Sequence, residues 1–406
     1  MHSDCLHTTD KRPKAEYRLA DYFNAWWDEY VKSPKKYIRP EQYKAVNAIR
    51  LCRTPALGVD VYACPECGEI SEVYYSCKNR FCPTCSWKDT MKWAENVKLR
   101  MLNIPHRHIV CTLPHSLTGI IKQNQYELLG VLMRTAAETF KDYLLNKYNI
   151  NIGIISVLHT FGEVKNFHAH VHMIVSWGGI RPKYRNLKII AKEYVNYKFL
   201  QKKFRCKFED ELIAMYDKGE LKNEFSNRHE FMCFVKEVNQ NDWVIHLEPP
   251  IDTPEKVIRY IGRYSKRACI SEYKITNIAG ENISFKYKDN KDRDENNKPL
   301  EKVLELHYRD FFPRLLQHVP LPNFRLVRYY GIYSNKGNIP QEYFCKKEIE
   351  TEEIIENPKE CKQCGIIKQY IYTIFDTRGI KERYTPFNID LHKHLITDRY
   401  HKQFAA

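Results

Sequence analysis

Residues 153–179, GIISVLHTFGEVKNFHAHVHMIVSWGG, decide the fold class of this chain. Two stretches rich in β-branched and aromatic residues, 153–162 and 167–179, flank a short polar turn around Lys165-Asn166. Such a pattern predicts a pair of antiparallel strands.

The second strand carries three histidines with a spacing of two. Because alternate side chains of a strand share a face, His168, His170 and His172 line one face. The opposite face is apolar and points to a core (Val171, Met173 and Val175). Neutral imidazole suits Zn²⁺, Mn²⁺ and similar ions, so the pattern predicts a divalent-metal platform. Solvent-exposed histidines on an edge strand, or a separate catalytic zinc of the hydrolase type, are the alternatives.

The segments before the hairpin are predicted to form a strand and a long helix. Residues 106–114 read as a strand and residues 125–148 as the longest helical pattern in the chain. Strand, long helix, strand, strand is the opening of a split β-α-β-β-α-β arrangement. A further strand is expected at 242–250. The fold class predicted is therefore α+β, with a central antiparallel sheet.

A tyrosine pair follows on a predicted helix, TPEKVIRYIGRYSKR (253–267). A Thr cap, Pro at the next position and Glu in the first turn mark its start. Spacing i, i+4 places Tyr260 and Tyr264 on one face, where core packing is the ordinary reading. Nearby cations and a metal-polarised phosphate can turn a phenol into a nucleophile. The helix supplies five candidate DNA-binding cations: Lys256, Arg259, Arg263, Lys266 and Arg267.

Fourteen cysteines in a chain whose start lacks an apolar secretory segment favour metal binding over disulfides. Two Cys-x-x-Cys knuckles, Cys64/Cys67 and Cys82/Cys85, supply the four soft ligands of a structural zinc. Two further thiols, Cys77 and Cys52, lie close in sequence. They are replacements for these ligands, ligands of a second metal, or core thiols.

A third knuckle, Cys361-Lys-Gln-Cys364, lies near the C-terminus. Candidates to complete a zinc site there are Cys345, His392 and His394. An ordinary turn is the alternative.

Composition restricts the classes of function. The 406 residues carry a formal charge of +15, and 43% of them are hydrophobic. This excludes a disordered chain, and the lack of an 18-residue apolar run excludes a transmembrane helix. A basic protein expected in the cytoplasm points to a polyanion, most often nucleic acid. The excess positive charge concentrates in residues 181–207 and in the tyrosine helix.

Three segments are expected from these features. Residues 1–103 form an N-terminal helical and zinc-binding domain, with amphipathic helices at 16–32 and 40–52. Residues 104–335 form the catalytic domain, and residues 336–406 a C-terminal region with the third knuckle.

Together these motifs resemble the HUH-type rolling-circle transposases of bacterial insertion sequences, in the two-tyrosine branch with an N-terminal zinc-binding domain. His170-Val-His172-Met-Ile-Val matches the HUH motif and Tyr260-x-x-x-Tyr264 the tyrosine signature. CRTPALG, SCKNRFCPTC, TLPHSL and LVRYYGIYSN are also similar, so the resemblance covers roughly residues 16–335. The chain departs from the family at Asp60 and Phe81, where histidine is frequent. That departure puts a second zinc site in doubt.

The resemblance implies an HUH endonuclease domain and a function. The HUH histidines would bind Mg²⁺ or Mn²⁺, and a tyrosine, expected to be Tyr260 first, would attack single-stranded DNA to form a 5′-phosphotyrosine. The partners implied are the ends of the insertion sequence and target DNA. A third metal ligand is expected, either Glu163 or, by strand alternation, His168. A replication initiator or relaxase with the same chemistry, or a non-enzymatic zinc-dependent DNA-binding protein, are the alternatives.

Overall fold

The computed structural model describes residues 15–33, 37–190, 195–241, 243–253, 256–257, 268–334, 339–345 and 360–374. Its contacts divide the chain into two compact units, each discontinuous in sequence. We call Trp87–Cys269 with Arg314–Lys347 the sheet unit. The ribbon unit comprises Met1–Ser86, Ile270–Pro313 and Glu348–Ala406. This division differs from the three consecutive segments expected from sequence.

Helices and strands are interspersed along the described residues. The α-helices are α1 (Leu19–Lys32), α2 (Pro40–Leu51), α3 (Pro83–Lys98), α4 (Thr118–Gln123), α5 (Gln125–Tyr148), α6 (Tyr197–Asp217), α7 (Arg228–Val238) and α8 (Tyr308–Leu316). The strands are β1 (Val59–Ala63), β2 (Ile70–Tyr74), β3 (His106–Thr112), β4 (Gly153–Phe161), β5 (Phe167–Ser176), β6 (Gly178–Ile180), β7 (Leu187–Ile189), β8 (Val244–Leu247), β9 (Ile275–Ala279), β10 (Asn282–Arg293), β11 (Pro299–His307), β12 (Val327–Gly331) and β13 (Gln369–Ile374).

A five-stranded antiparallel sheet in the order β12-β4-β5-β3-β8 organises the sheet unit. The predicted order β3, α5, β4, β5 is confirmed, and α5 spans the predicted residues. Apolar side chains of α5, α6 and α7 form one core with the inward residues of β5, including Val171 and Met173. The predicted α+β class with antiparallel sheets is therefore confirmed.

The β4–β5 hairpin has a defined register. His159 lies opposite His170 and Val157 opposite His172, so these four residues share one face of the sheet. The connecting turn closes where predicted, because the Gly162 amide donates to the Asn166 carbonyl at 3.1 Å. A slip of one residue would place the histidines in the apolar core.

The face that carries the histidines is partly covered by a second apolar cluster. Ile155 and Ile174 pack there with the buried Val257. Thr253 caps the segment containing Val257, since its Oγ1 accepts from the Lys256 amide at 3.4 Å. The predicted helix start is thus confirmed as far as the described residues extend.

The ribbon unit contains two three-stranded sheets, β13-β1-β2 and β11-β10-β9. Aromatic packing joins α1 to α8, with Phe23 and Phe312 stacked at 5.1 Å between ring centroids and Trp27 edge-on to Phe312. The buried Arg50 guanidinium links α2 to α1 by donating two hydrogen bonds to Asp28. Within the described residues, no helix has the length and apolar character needed to cross a membrane.

Replacing Leu132 by Ala tests the packing of α5 beneath the sheet. Leu132 is fully buried, and loss of a buried leucine costs about 2–5 kcal/mol of unfolding free energy. Leu145 on the same helix is 38% exposed, so Leu145→Ala is the matched control and should cost less than about 1 kcal/mol. Urea unfolding followed by circular dichroism measures both. Equal losses would contradict the packing described.

Candidate functional site

Three histidines converge on the face of the five-stranded sheet opposite the α5 core. One ring nitrogen from each of His159, His170 and His172 lies within 4.8 Å of the other two. Strand β4 supplies the first, and β5 supplies the other two. Their convergence follows from the register, which sets His159 directly across from His170.

Hydrogen bonds define which nitrogen each imidazole presents. His170 Nδ1 donates to the carbonyl of His168 at 2.9 Å, so its Nε2 carries the free lone pair. His172 Nδ1 lies 2.9 Å from His108 Nε2, and His108 Nδ1 lies 3.4 Å from Glu248 Oε1. If Glu248 accepts from His108, then His108 accepts from His172 and leaves His172 Nε2 as an electron-pair donor. Such outer partners orient metal-binding imidazoles.

Two of the three imidazoles, those of His170 and His172, favour their neutral form. Burial lowers the pKa of His170 to about 4. Burial also lowers the pKa of His172 far below its ordinary value, and repulsion from His159 and His170 acts in the same direction. Only a neutral imidazole can donate its lone pair to a metal. At neutral pH these two imidazoles therefore keep lone pairs that a cation could accept.

Sequence reasoning did not include His159 in the metal site. His168 shares the face, with its ring centroid 5.3 Å from that of His170, but among the described residues the convergent group consists of the other three histidines. Glu163, in the turn after β4, is likewise not part of it. The signal for His159 was present, because pairing the two strands across their turn sets it opposite His170.

The predicted nucleophiles, Tyr260 and Tyr264, lie outside the described residues. So do four of the five predicted DNA-binding cations (Arg259, Arg263, Lys266 and Arg267). Lys256 is described, helical and exposed. Its neighbour Val257 is buried against Ile155 and Ile174, on the face that carries the histidines.

The basic residues of 181–207 lie in two different surroundings. Its second half lies on α6, where Lys207 pairs with Asp142 of α5 at 2.9 Å, so part of the positive charge is neutralised within the fold. Near its start, Arg181 and Arg185 line a cavity of about 310 Å³ together with Asn151. The basic surface is thus smaller than the sequence indicates.

Eight of the fourteen cysteines form two groups in the ribbon unit. Cys52, Cys77, Cys82 and Cys85 converge in one, with Cys85 Sγ 3.4 Å from Cys52 Sγ and 3.6 Å from Cys77 Sγ. The second group unites the Cys64/Cys67 knuckle with the C-terminal one: Cys64, Cys67, Cys361 and Cys364.

This arrangement corrects the single four-cysteine site expected from sequence. The two N-terminal knuckles do not share a metal position, because each converges with different cysteines. Both groups are complete without a residue from position 60 or 81. Asp60 Oδ1 instead accepts a hydrogen bond from Tyr75 at 2.7 Å, and Phe81 is buried. The presence of Asp60 and Phe81 in place of histidine therefore removes no member of either cysteine group.

Comparison with known proteins identifies the family. A family model described as "Putative transposase" matches residues 153–340, and one described as "Transposase zinc-binding domain", of the IS91 type, matches residues 22–113. A Sinorhizobium fredii protein described as "Putative transposase y4qJ" is 31% identical over 328 residues, covering 78% of this chain and 80% of that protein. The chain belongs to the IS91-type transposase family. The transposase for insertion sequence element IS801 of Pseudomonas savastanoi pv. phaseolicola is 27% identical over 313 residues, 74% of this chain and 72% of its own.

The two family models cover different features of the transposase. The first contains all three convergent histidines and both tyrosines, since it spans residues 153–340. The second contains the whole Cys52 group and the Cys64/Cys67 knuckle, but it ends before the C-terminal knuckle. Cysteine groups within a zinc-binding domain support structural Zn²⁺. No solved structure matches the chain significantly.

Substitution of His159 by Ala tests the three-histidine group. We expect His159→Ala to weaken Mn²⁺ binding by more than about tenfold, since a ligand contributes at least as much as the outer partners of a metal site. His168→Ala is the matched control on the same sheet face and should change affinity less than about threefold. Titration of the transposase with Mn²⁺, followed by electron paramagnetic resonance, measures both. Larger weakening by His168→Ala would contradict the assignment.

Substitution of His108 tests the outer partner of His172. His108→Phe preserves an aromatic ring but cannot accept from His172 Nδ1, so we expect Mn²⁺ affinity to fall about 10–100-fold. His108→Gln, which retains an acceptor, should restore part of this loss. Calorimetric titration gives the affinities, and far-ultraviolet circular dichroism checks folding. Unchanged affinity in folded His108→Phe would remove His108 from the site.

Proposed function

We propose that this transposase cleaves and rejoins single-stranded DNA through a 5′-phosphotyrosine intermediate, as rolling-circle transposition at the ends of an insertion sequence requires. The observation that carries the proposal is the His159–His170–His172 group. It lies on the sheet face where Val257 packs, and Val257 is three residues before Tyr260. A metal platform on the face against which Val257 packs, with two tyrosines following in the sequence, favours phosphoryl transfer to a phenol.

The topology supports assigning an HUH endonuclease domain. Strand β5, which carries His170 and His172, is the middle strand of an antiparallel sheet. The order β3, α5, β4, β5, followed by α6, α7 and then β8 beside β3, agrees with the split β-α-β-β-α-β arrangement, to which β12 adds a fifth strand beside β4. The central position of β5 gives the two histidines strand neighbours on both sides.

The donor set is suited to a divalent transition ion. Three neutral imidazoles are softer ligands than Mg²⁺ prefers, so we propose Mn²⁺ or a similar ion over Mg²⁺. When bound, the ion supplies Lewis-acid polarisation of the scissile phosphate. His159, His170 and His172 would hold it, and His108 would orient His172.

The tyrosines would supply the nucleophile. In the proposed step the phenol oxygen of Tyr260 bonds to the scissile phosphorus and the bond from phosphorus to the 3′ oxygen breaks. The phenol proton passes to solvent, and the departing 3′ oxygen takes up a proton. The 3′-hydroxyl can then attack a phosphotyrosine in the reverse sense and rejoin strands. Tyr264 would serve the second cleavage or transfer.

The surrounding charge favours a polyanionic substrate. Between Lys256 and Arg267 the sequence has five basic residues and no acid. Cations near a phenol favour its ionised form, and they also neutralise DNA phosphates. Single-stranded DNA is the proposed substrate because its backbone can bend freely into a site on a sheet face.

Double replacement of both tyrosines tests the proposed nucleophiles. With Mn²⁺ and labelled single-stranded DNA from the ends of the insertion sequence, the parent should form a covalent adduct that protease removes. Tyr260→Phe combined with Tyr264→Phe should abolish the adduct. Tyr37→Phe, at a residue 86% exposed in the ribbon unit, is the matched control and should leave adduct formation unchanged. Adduct formation by the double variant would exclude these nucleophiles.

Replacing the histidines separates chemistry from DNA binding. His170→Ala with His172→Ala should abolish cleavage but change DNA affinity less than about threefold, since affinity comes mainly from contacts between cations and phosphates. Gel-shift titration and the adduct assay measure the two effects. DNA binding without cleavage by the unaltered protein, under any divalent metal, would instead support a non-enzymatic DNA-binding function.

A further inference from the structure

Two knuckles from opposite ends of the chain adopt the same backbone turn in the ribbon unit. The Gly68 amide donates to the Cys64 carbonyl at 2.9 Å, and the Gly365 amide donates to the Cys361 carbonyl at 2.9 Å. Both glycines have left-handed backbones, with φ of +72° and +67°. The two turns are therefore equivalent structures that present their thiols to a common centre.

From this pairing we propose a second structural zinc site, formed by Cys64, Cys67, Cys361 and Cys364, that clamps the C-terminal strand to the N-terminal zinc-binding domain. The family model for that domain ends at residue 113, so it includes only half of these ligands. The proposal goes beyond the transposition chemistry and requires nothing of the tyrosines.

The sulfur geometry fits a tetrahedral metal. The four Sγ atoms lie within 4.8 Å of one another, and Cys67 Sγ is 3.5 Å from Cys361 Sγ. Zn–S bonds of about 2.3 Å place the sulfurs of a tetrahedron about 3.8 Å apart. A disulfide would need about 2.05 Å. The Cys52 group shows the same spacing, 3.4 Å between Cys52 Sγ and Cys85 Sγ.

Strand pairing brings these distant knuckles together. β13 pairs with β1 in antiparallel register, with Gln369 opposite Ala63 beside the knuckles. Cys67 and Cys361 are 294 positions apart in sequence. Closing a loop of this length carries a large entropic cost, which a metal bond offsets.

Charged neighbours suit an anionic zinc centre. Zn²⁺ with four thiolates carries a net charge of about −2. The Glu69 carboxylate lies 2.9 Å from Cys361 Sγ. Lys368, which is buried, lies 3.3 Å from the same carboxylate and supplies a compensating positive charge.

The two cysteine groups differ in their access to solvent. Cys67 and Cys364 are exposed, whereas Cys52, Cys82 and Cys85 are buried. A chelator should therefore reach the clamp before the buried group. Removal of the clamp metal should therefore release the C-terminal strand while the Cys52 group keeps its metal.

Zinc counting by native mass spectrometry on the full chain tests the clamp. Cys361→Ser with Cys364→Ser should bind one zinc fewer than the parent. Cys206→Ser with Cys233→Ser, outside both groups, is the matched control and should bind as many as the parent. Equal zinc counts in the parent and the Cys361/Cys364 variant would overturn the proposal.

Chelator release from the unaltered protein tests the same site without substitution. We expect two phases of zinc release, and in the first phase the segment around 360–374 should become sensitive to protease. Release in one phase, or a first phase that leaves this segment protected, would overturn the clamp. Loss of DNA-adduct formation is not a readout here, so failure of this proposal is distinct from failure of the proposed chemistry.

Discussion

The antiparallel pairing of β4 with β5 is the constraint on which the candidate site depends. It sets His159 opposite His170, and alternation along β5 adds His172 on the same face. The opposite face anchors this register, because Val171 and Met173 are fully buried in the core beneath. A shift of one residue in the register would turn the imidazoles towards the core and expose these apolar residues, so the energy of core packing holds the histidine group in place.

The same packing determines the chemistry of the ligands. Burial disfavours the charged imidazolium and so leaves His170 and His172 neutral. His108 Nε2 lies 2.9 Å from His172 Nδ1, where it can orient that ring, and Glu248 lies 3.4 Å from His108 Nδ1. The packing that stabilises the sheet therefore also removes water from around the histidines. Because this keeps two of them uncharged, the same packing favours binding of a divalent cation.

Local sequence patterns were sufficient to predict much of the architecture. The helical period predicted α5 over the residues it occupies, and alternation in FHAHVHMIV predicted the face shared by His170 and His172. His159 was missed because its role depends on pairing across a turn rather than on its own strand. The cysteine partners were missed for a similar reason, since Cys361 reaches Cys67 only through the β1–β13 ladder. Pairing between strands from distant parts of the chain, unlike pairing across a short turn, leaves little trace in a single sequence.

Anomalous X-ray diffraction from Mn²⁺-soaked crystals of this transposase tests the three-histidine site most directly. The account predicts a manganese peak bonded to the Nε2 atoms of His159, His170 and His172, with His108 hydrogen-bonded to His172. Manganese bonded to His168 or Glu163 in place of His159, or no manganese on this face of the sheet, would contradict it.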